Sequence, residues 1–299
     1  MAERGTLSHP RPSRGQVRRR RTVAVVGLVL TAAVIAVAVA AALPHLHRHH
    51  AAPPPPPPPP KPFRVIFPEG FTRAQMAERV GVVAGIAERK RGGTIRLSSP
   101  SYERATRRIA VPCFSPRLRT KTEGFLFPAT YDFLAKTTSS QLARDQVQAF
   151  CRNWRTIDLS YARSKNLTPY DVLTIASMVE KEAEAPAERP LIAAVIYNRL
   201  RERMPLGIDS TLRYGLNISP DKSITESQLQ SQSPYNTRNR LGLPPTPIAN
   251  PGLASMRAAA HPAKVDYLYF VRKPDKVHHF FTASASEFQR YECAHGYGC

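Results

Sequence analysis

The sequence predicts an α+β protein carried on a single N-terminal transmembrane helix. Three observations lead there. Residues 23–43 form one uncharged, apolar run. The remainder alternates segments of helical periodicity with short runs of β-branched and aromatic residues. Hydrophobic residues make up 42% of the 299, too many for a disordered chain. That length allows one large domain or two of ordinary size. The charge complicates matters: 43 Lys and Arg against 22 Asp and Glu give a net +21. Alone, that excess points to nucleic acid, so the compartment has to be settled first.

Residues 1–22 are a basic tail, ending in Arg18, Arg19, Arg20 and Arg21. The apolar run follows directly. Its 21 residues span about 30 Å as a helix, the thickness of a bilayer core. A helix is required there, because lipid offers no partners for backbone N–H and C=O groups. The arginines precede the run and no such cluster follows it at once. The positive-inside rule puts residues 1–22 in the cytoplasm and the rest outside, in a single-pass cell-membrane protein. A cleaved signal peptide is the rival, but the run is longer than a signal's apolar core. Residues 1–22 hold seven arginines and one Glu, so +6 of the charge stays with the anchor and +15 faces the envelope. Nucleic acid drops out as a partner.

Residues 44–62 read as a stalk rich in His and Pro. Pro53 to Pro60 are eight consecutive prolines, a stiff polyproline II spacer. The histidines have no carboxylate or cysteine nearby, so they read as solvated rather than as metal ligands.

Residues 63–119 read as a small α/β module: a strand and turn in FRVIFPEG, an amphipathic helix from Thr72, and a second possible strand in TIRLSS. Residues 120–299 read as a larger α+β domain. In it, Thr168 as N-cap, Pro169 at the first helical position and Asp171 two further on mark a helix start. PLIAAVIYNRLRER (190–203) is another helix and YLYFVRK (267–273) a strand. Residues 233–252 form a long loop rich in Pro, Ser and Asn, of a kind that is usually functional or disordered.

On the helix beginning at Thr168, Val172, Ala176, Val179 and Ala183 centre an apolar face. Glu180 falls on one flank and Glu182 on the other. A carboxyl among apolar neighbours holds its proton and can act as a general acid. The wheel does not choose between the two, and surface glutamates are the commoner explanation of such a pair. Asp209, Ser210, Thr211 and Tyr214, with Ser233, Tyr235, Asn236, Thr237 and Asn250, supply amides, hydroxyls and aromatic rings. That mixture suits a sugar groove, although each residue alone is more simply a turn former. No P-loop, H-E-x-x-H or G-x-S-x-G occurs, and no cofactor or metal is expected.

Seven separated runs carry a resemblance: TEGFLFPATY (122–131), ASMVEKEA (176–183), IYNRL (196–200), IDSTLRYG (208–215), SPYNT (233–237), the stretch 242–271, and HHFFTASASEF (278–288). In order and spacing they resemble the endolytic murein transglycosylase family, the YceG-like or MltG proteins. The resemblance implies a LysM-like module at 63–119 and a YceG-like catalytic domain at 120–299. It implies a lytic transglycosylase that cuts nascent peptidoglycan strands between N-acetylmuramic acid and N-acetylglucosamine, leaving 1,6-anhydro ends and terminating elongation. Glu180, the first Glu of the V-E-K-E run, is then the catalytic acid. Glu123, Tyr131, Asn198, Asp209, Ser210, Thr211, Tyr235, Asn236, Thr237 and Asn250 are then the sugar-binding set. Ala129 stands where the family usually has an acid, and Ser210 where it usually has Pro. Implied partners are peptidoglycan strands, peptidoglycan synthases, and membrane lipid through residues 23–43. A non-catalytic wall-binding scaffold is the alternative.

The four cysteines lie on the oxidising side of that membrane. Of three possible pairings, we expect Cys113–Cys151 and Cys293–Cys299.

Overall fold

A computed structural model describes residues 14–46, 60–114 and 122–297. The chain divides into two units, one running to Pro59 and the other beginning at Pro60.

The first unit is helix α1 (Arg14–Leu46). Within it, Arg18–Ala42 is 25 residues long with mean hydropathy 2.8, and none of it is buried by the rest of the chain. Leu28, Val34 and Val37 are exposed. By length and composition this helix can cross a membrane, and its uncovered apolar surface is what lipid would cover. The start of the basic tail and the polyproline run through Pro59 lie outside the described residues.

The second unit starts at strand β1 (Phe63–Ile66) and helix α2 (Arg73–Arg91). Thr72 and Gln75 form a reciprocal capping box at the start of α2, and Gly92 closes it in the left-handed conformation. Met76, Ala77, Val80, Ala84 and Ala87 are its buried face. Helix α3 (Ser99–Arg107) follows. TIRLSS is not a strand. Ile95 and Leu97 do point inward, but residues 94–98 are irregular, and the Arg96 N–H bonds the Ala135 carbonyl instead of a ladder.

The partner of β1 comes from beyond residue 120. Strand β2 (Thr130–Phe133) pairs antiparallel with it, Phe63 opposite Phe133 and Ile66 opposite Thr130. Helix α4 (Ser139–Trp154) then packs on α3. The Cys113–Cys151 disulfide is present and ties the segment after α3 to α4. Cys299 lies outside the described residues. The sequence boundary at residue 119 therefore divides a two-stranded sheet and a single core: residues 60–297 are one compact body.

The centre of that body is α6 (Pro169–Glu182), reached through the short α5 (Ser160–Ser164). Thr168 and Asp171 cap each other and Pro169 occupies the first turn, as the sequence predicts. Val172 through Val179 are all buried, so α6 is wrapped on every side. Around it lie α7 (Arg189–Arg201), after a 3-10 turn at Pro186–Glu188, and α8 (Asp209–Leu216). After the single turn α9 (Glu226–Leu229), α10 (Leu253–Ala260) makes the most extensive contact with α6. An antiparallel hairpin of β3 (Tyr269–Arg272) and β4 (His279–Thr282), then α11 (Ala285–Ala294), complete the unit.

Residues 233–252 are irregular throughout, yet Asn236, Thr237, Ile248, Ala249 and Asn250 are buried. A buried irregular loop must have its backbone polar groups satisfied. Here much of that work falls to side-chain amides and hydroxyls.

Candidate active site

Glu180 sits in the last turn of α6. Its side chain is 6% exposed. One carboxylate oxygen accepts the Gly252 N–H at 2.9 Å. The other is 3.9 Å from the Arg189 guanidinium, itself largely covered. Gly252 is the N-cap of α10, so the Glu180 carboxylate lies at the positive end of that helix. It is held by a fixed backbone donor, a helix terminus and a cation.

The two flanking glutamates separate as the helix wheel implied. Glu180 faces Gly252 and Arg189. Glu182 faces the opposite group, with Ser210, Asp209, His279 and Arg272 around it. Burial pushes the Glu182 carboxyl above the usual range, and the Ser210 hydroxyl pulls it back.

Glu123 is enclosed. Its Oε1 accepts the Arg73 N–H at 2.9 Å and the Asn250 amide at 2.8 Å. Its Oε2 accepts the Tyr214 hydroxyl at 3.1 Å. Burial pushes its carboxyl up to about 7 against the pull of these donors. Asn250 is fully used: its Oδ1 accepts the Leu126 N–H at 2.9 Å, and its amide also donates to the Phe71 carbonyl at 2.9 Å. The ring of Tyr214 meets that of Tyr235 edge-on at 5.2 Å, and Tyr235 shares a 2.8 Å hydrogen bond with Thr246. Gly215 permits this approach, since a Cβ there would sit 2.5 Å from that of Tyr235. Glu123, Asn250, Tyr214 and Tyr235 are thus brought together.

The other expected residues are spent on the scaffold. Asn236 donates to the Leu229 and Ser231 carbonyls, both at 2.8 Å. Thr211 and Thr237 bond each other at 3.0 Å and pin residue 208. Asp209 pairs with Arg238 at 2.6 Å on the surface. The Tyr131 hydroxyl donates to the Phe127 carbonyl at 2.8 Å. Asn198 lies two turns and more along α7 from Arg189, and its amide bridges the Val265 and Tyr267 carbonyls at 2.9 Å each. It lines a cleft of about 810 Å³ with Tyr170, Thr174 and Tyr197. Among the described residues no group of three His, Cys, Asp or Glu is placed to hold a metal ion.

Three residues around Glu180 were not singled out from the sequence: Arg189, Gly252 and Glu69. Glu69 lies in the FPEG turn between β1 and α2. Its carboxylate occupies the space a side chain on residue 252 would need. The FPEG run was the available signal, but a turn Glu carries no hint of a partner so far along the chain.

This architecture is a known one. It matches the crystal structure of a YceG-like protein from Listeria monocytogenes with a TM-score of 0.65 and 29% identity, over 78% of this chain and 76% of that one. The YceG-like family is matched over residues 38–293, and the chain belongs to that family. Among its relatives is the endolytic murein transglycosylase of Bacillus subtilis, 39% identical over 163 residues, 54% of this chain and 44% of that protein. The protein of the same name from Streptococcus pneumoniae is 34% identical over 218 residues, 68% of this chain and 39% of that one. This chain spans less than half the length of either relative.

Proposed function

We propose that this chain is a membrane-anchored endolytic lytic transglycosylase acting on peptidoglycan strands, with Glu180 as its catalytic acid. The placement of Glu180 carries the reading: a carboxylate within the V-E-K-E run, at a helix end, held by one backbone N–H and one arginine. The shared name of the bacillar and pneumococcal relatives supports the substrate class.

The reaction needs no water. Glu180 gives its proton to the glycosidic oxygen as the bond from the muramic acid C1 breaks. The muramic acid O6 hydroxyl attacks C1, and its proton passes to the Glu180 carboxylate. A C1–O6 bond replaces the broken one, and the enzyme regains its starting protonation. Ordinary glycosidases need a second carboxylate for a water or a covalent intermediate; here the O6 hydroxyl takes that place. Glu123, with Asn250, Tyr214 and Tyr235, braces the wall of the sugar groove. Tyr131, Asn198, Asp209, Ser210, Thr211, Asn236 and Thr237 shape the segments that line it.

Residues 63–119 are read as the family's LysM-like module, fused through β1 and β2 to the catalytic residues that follow. Residues 23–43 anchor the protein, with the basic tail in the cytoplasm and the enzyme outside. The +15 of the chain beyond residue 22 suits acidic wall polymers, and synthases are natural neighbours for an enzyme that ends growing strands.

The test is mass analysis of products from isolated glycan strands. The full chain in detergent is expected to release 1,6-anhydro ends, and Glu180→Gln to lower the rate by at least about a hundredfold. Reducing ends alone would mean hydrolysis. A fully active Glu180→Gln protein would remove Glu180 from the mechanism.

A further inference from the structure

We propose that the buried Glu188–His279 pair is a positioning device for Glu180: it ties the β3–β4 hairpin to the turn from which Arg189 reaches the acid. The inference rests on Glu180 being the acid.

Arg189 is the first residue of α7 and follows directly on the 3-10 turn Pro186–Glu188. Its guanidinium joins two helices. The Nε–H donates to the Ser255 hydroxyl of α10 at 3.1 Å, and Nη2 stands 3.9 Å from Glu180 on α6. Glu180 in turn accepts the N–H of Gly252, the N-cap of α10. Ser255, Arg189, Glu180 and Gly252 thus close a ring through three helices. At 3.9 Å the ion pair has no direct hydrogen bond to hold it. Where the guanidinium sits therefore depends on what holds residue 189.

Glu188 supplies that hold. It is the N-cap of α7, yet its side chain makes no capping bond. The carboxylate is aimed at the hairpin instead. Its two oxygens accept the His279 backbone N–H at 3.0 and 3.2 Å, and one of them also takes the His279 Nδ1–H at 2.7 Å. Both side chains are buried. The imidazole packs edge-on to Phe270 at 5.4 Å and against Phe281 at 6.0 Å. The far side of Arg189 is pinned as well, since the Pro190 carbonyl accepts the Ala263 N–H at 3.0 Å. The same hairpin reaches α6 directly: the Arg272 guanidinium stands 3.5 Å from the Glu182 carbonyl, two residues beyond the acid. Well-packed apolar side chains could stabilise the fold as well as a buried carboxylate and imidazole do. What the polar pair adds is direction, because a fully satisfied buried network specifies one arrangement.

The experiment is a double-mutant cycle on the full chain in detergent, read as kcat and KM for 1,6-anhydro release. His279→Phe fills the place of the ring and removes the Nδ1–H. Arg189→Ala and His279→Phe should each lower kcat about tenfold or more, with KM within about twofold. In the Arg189→Ala background, His279→Phe should cost less than about twofold, because the group it positions is already gone. His279→Asn restores a side-chain N–H donor and should bring kcat to within about threefold of wild type. Equal factors in the two backgrounds, or a change confined to KM or the melting temperature, would overturn the proposal. Should His279→Phe not fold, Glu188→Asp runs through the same cycle: it keeps the charge and draws the carboxylate back by one methylene. A second arm needs no substrate. Hydrogen exchange of the Arg189 Nε–H, followed by NMR, should be at least about tenfold faster in His279→Phe than in wild type, and an unchanged rate would overturn the tie. If wild type made no anhydro ends, the functional reading would fall and the exchange rates would still decide whether the pair holds Arg189.

Discussion

Replacing Glu123 by Gln tests how the buried network around Asn250 is powered. The carboxyl is enclosed and stands at about 7, against 4.5 for a free glutamate. Its folded value is raised, so the proton it holds contributes stability below about pH 4.5. That contribution fades as pH climbs through about 7, because the unfolded chain then prefers to release the proton. At 1.36 kcal/mol per pKa unit, the loss between about pH 5 and about pH 8 is about 2–3 kcal/mol. Gln fills the same space and cannot ionise. Its amide can meet Tyr214, whose hydroxyl can turn to accept, and its carbonyl can take the Arg73 and Asn250 donors. The difference in unfolding free energy, wild type minus Glu123→Gln, should therefore fall by about 2–3 kcal/mol across that range. Trp154 is the only tryptophan and is buried, so its fluorescence reports urea unfolding directly. Wild type must lose stability relative to Glu123→Gln as pH rises. Parallel curves, or a wild type that gains on the variant as pH rises, would refute a buried, proton-holding Glu123.

Two further outcomes follow from the same packing. Asn250→Ala leaves the Leu126 N–H without a partner and takes one of two donors from the buried Glu123 Oε1, which should cost about 2–4 kcal/mol. The melting temperature should then drop by roughly 5–15 °C; a drop under about 2 °C would mean that water replaces the amide. The paired Cys113→Ser and Cys151→Ser substitutions open a loop of 38 residues, for an expected loss of about 2–4 kcal/mol in urea unfolding. An unchanged midpoint would mean that the unfolded chain is already compact there.

Local chemistry carried far in this protein. The capping boxes at Thr72 and Thr168 involve residues three apart, so both helix starts were readable. The long apolar helix was readable because its requirement, a long apolar run, is purely one-dimensional. The β1–β2 pairing was not, because strand partners are chosen by packing across the fold and not by neighbours in the chain. TIRLSS has the alternation of a strand, with Ile95 and Leu97 inward, and lacks only a partner, because β2 already pairs with β1.

The site divides in the same way. The sequence by itself determined the long apolar helix near the N-terminus, the helices beginning at Thr72 and Thr168, and a V-E-K-E helix end carrying two candidate acids. Its resemblance to a family selected Glu180. Which environment each acid meets was decided only by tertiary structure, since Gly252, Arg189 and the FPEG turn reach Glu180 from three different parts of the chain. Many of the polar residues that looked like a sugar-binding set proved to be buried and hydrogen-bonded to the backbone. An irregular loop that must pass through the interior needs its carbonyls and N–H groups satisfied there. Composition records the presence of such amides and hydroxyls, but only the fold shows which of them remain open to a ligand.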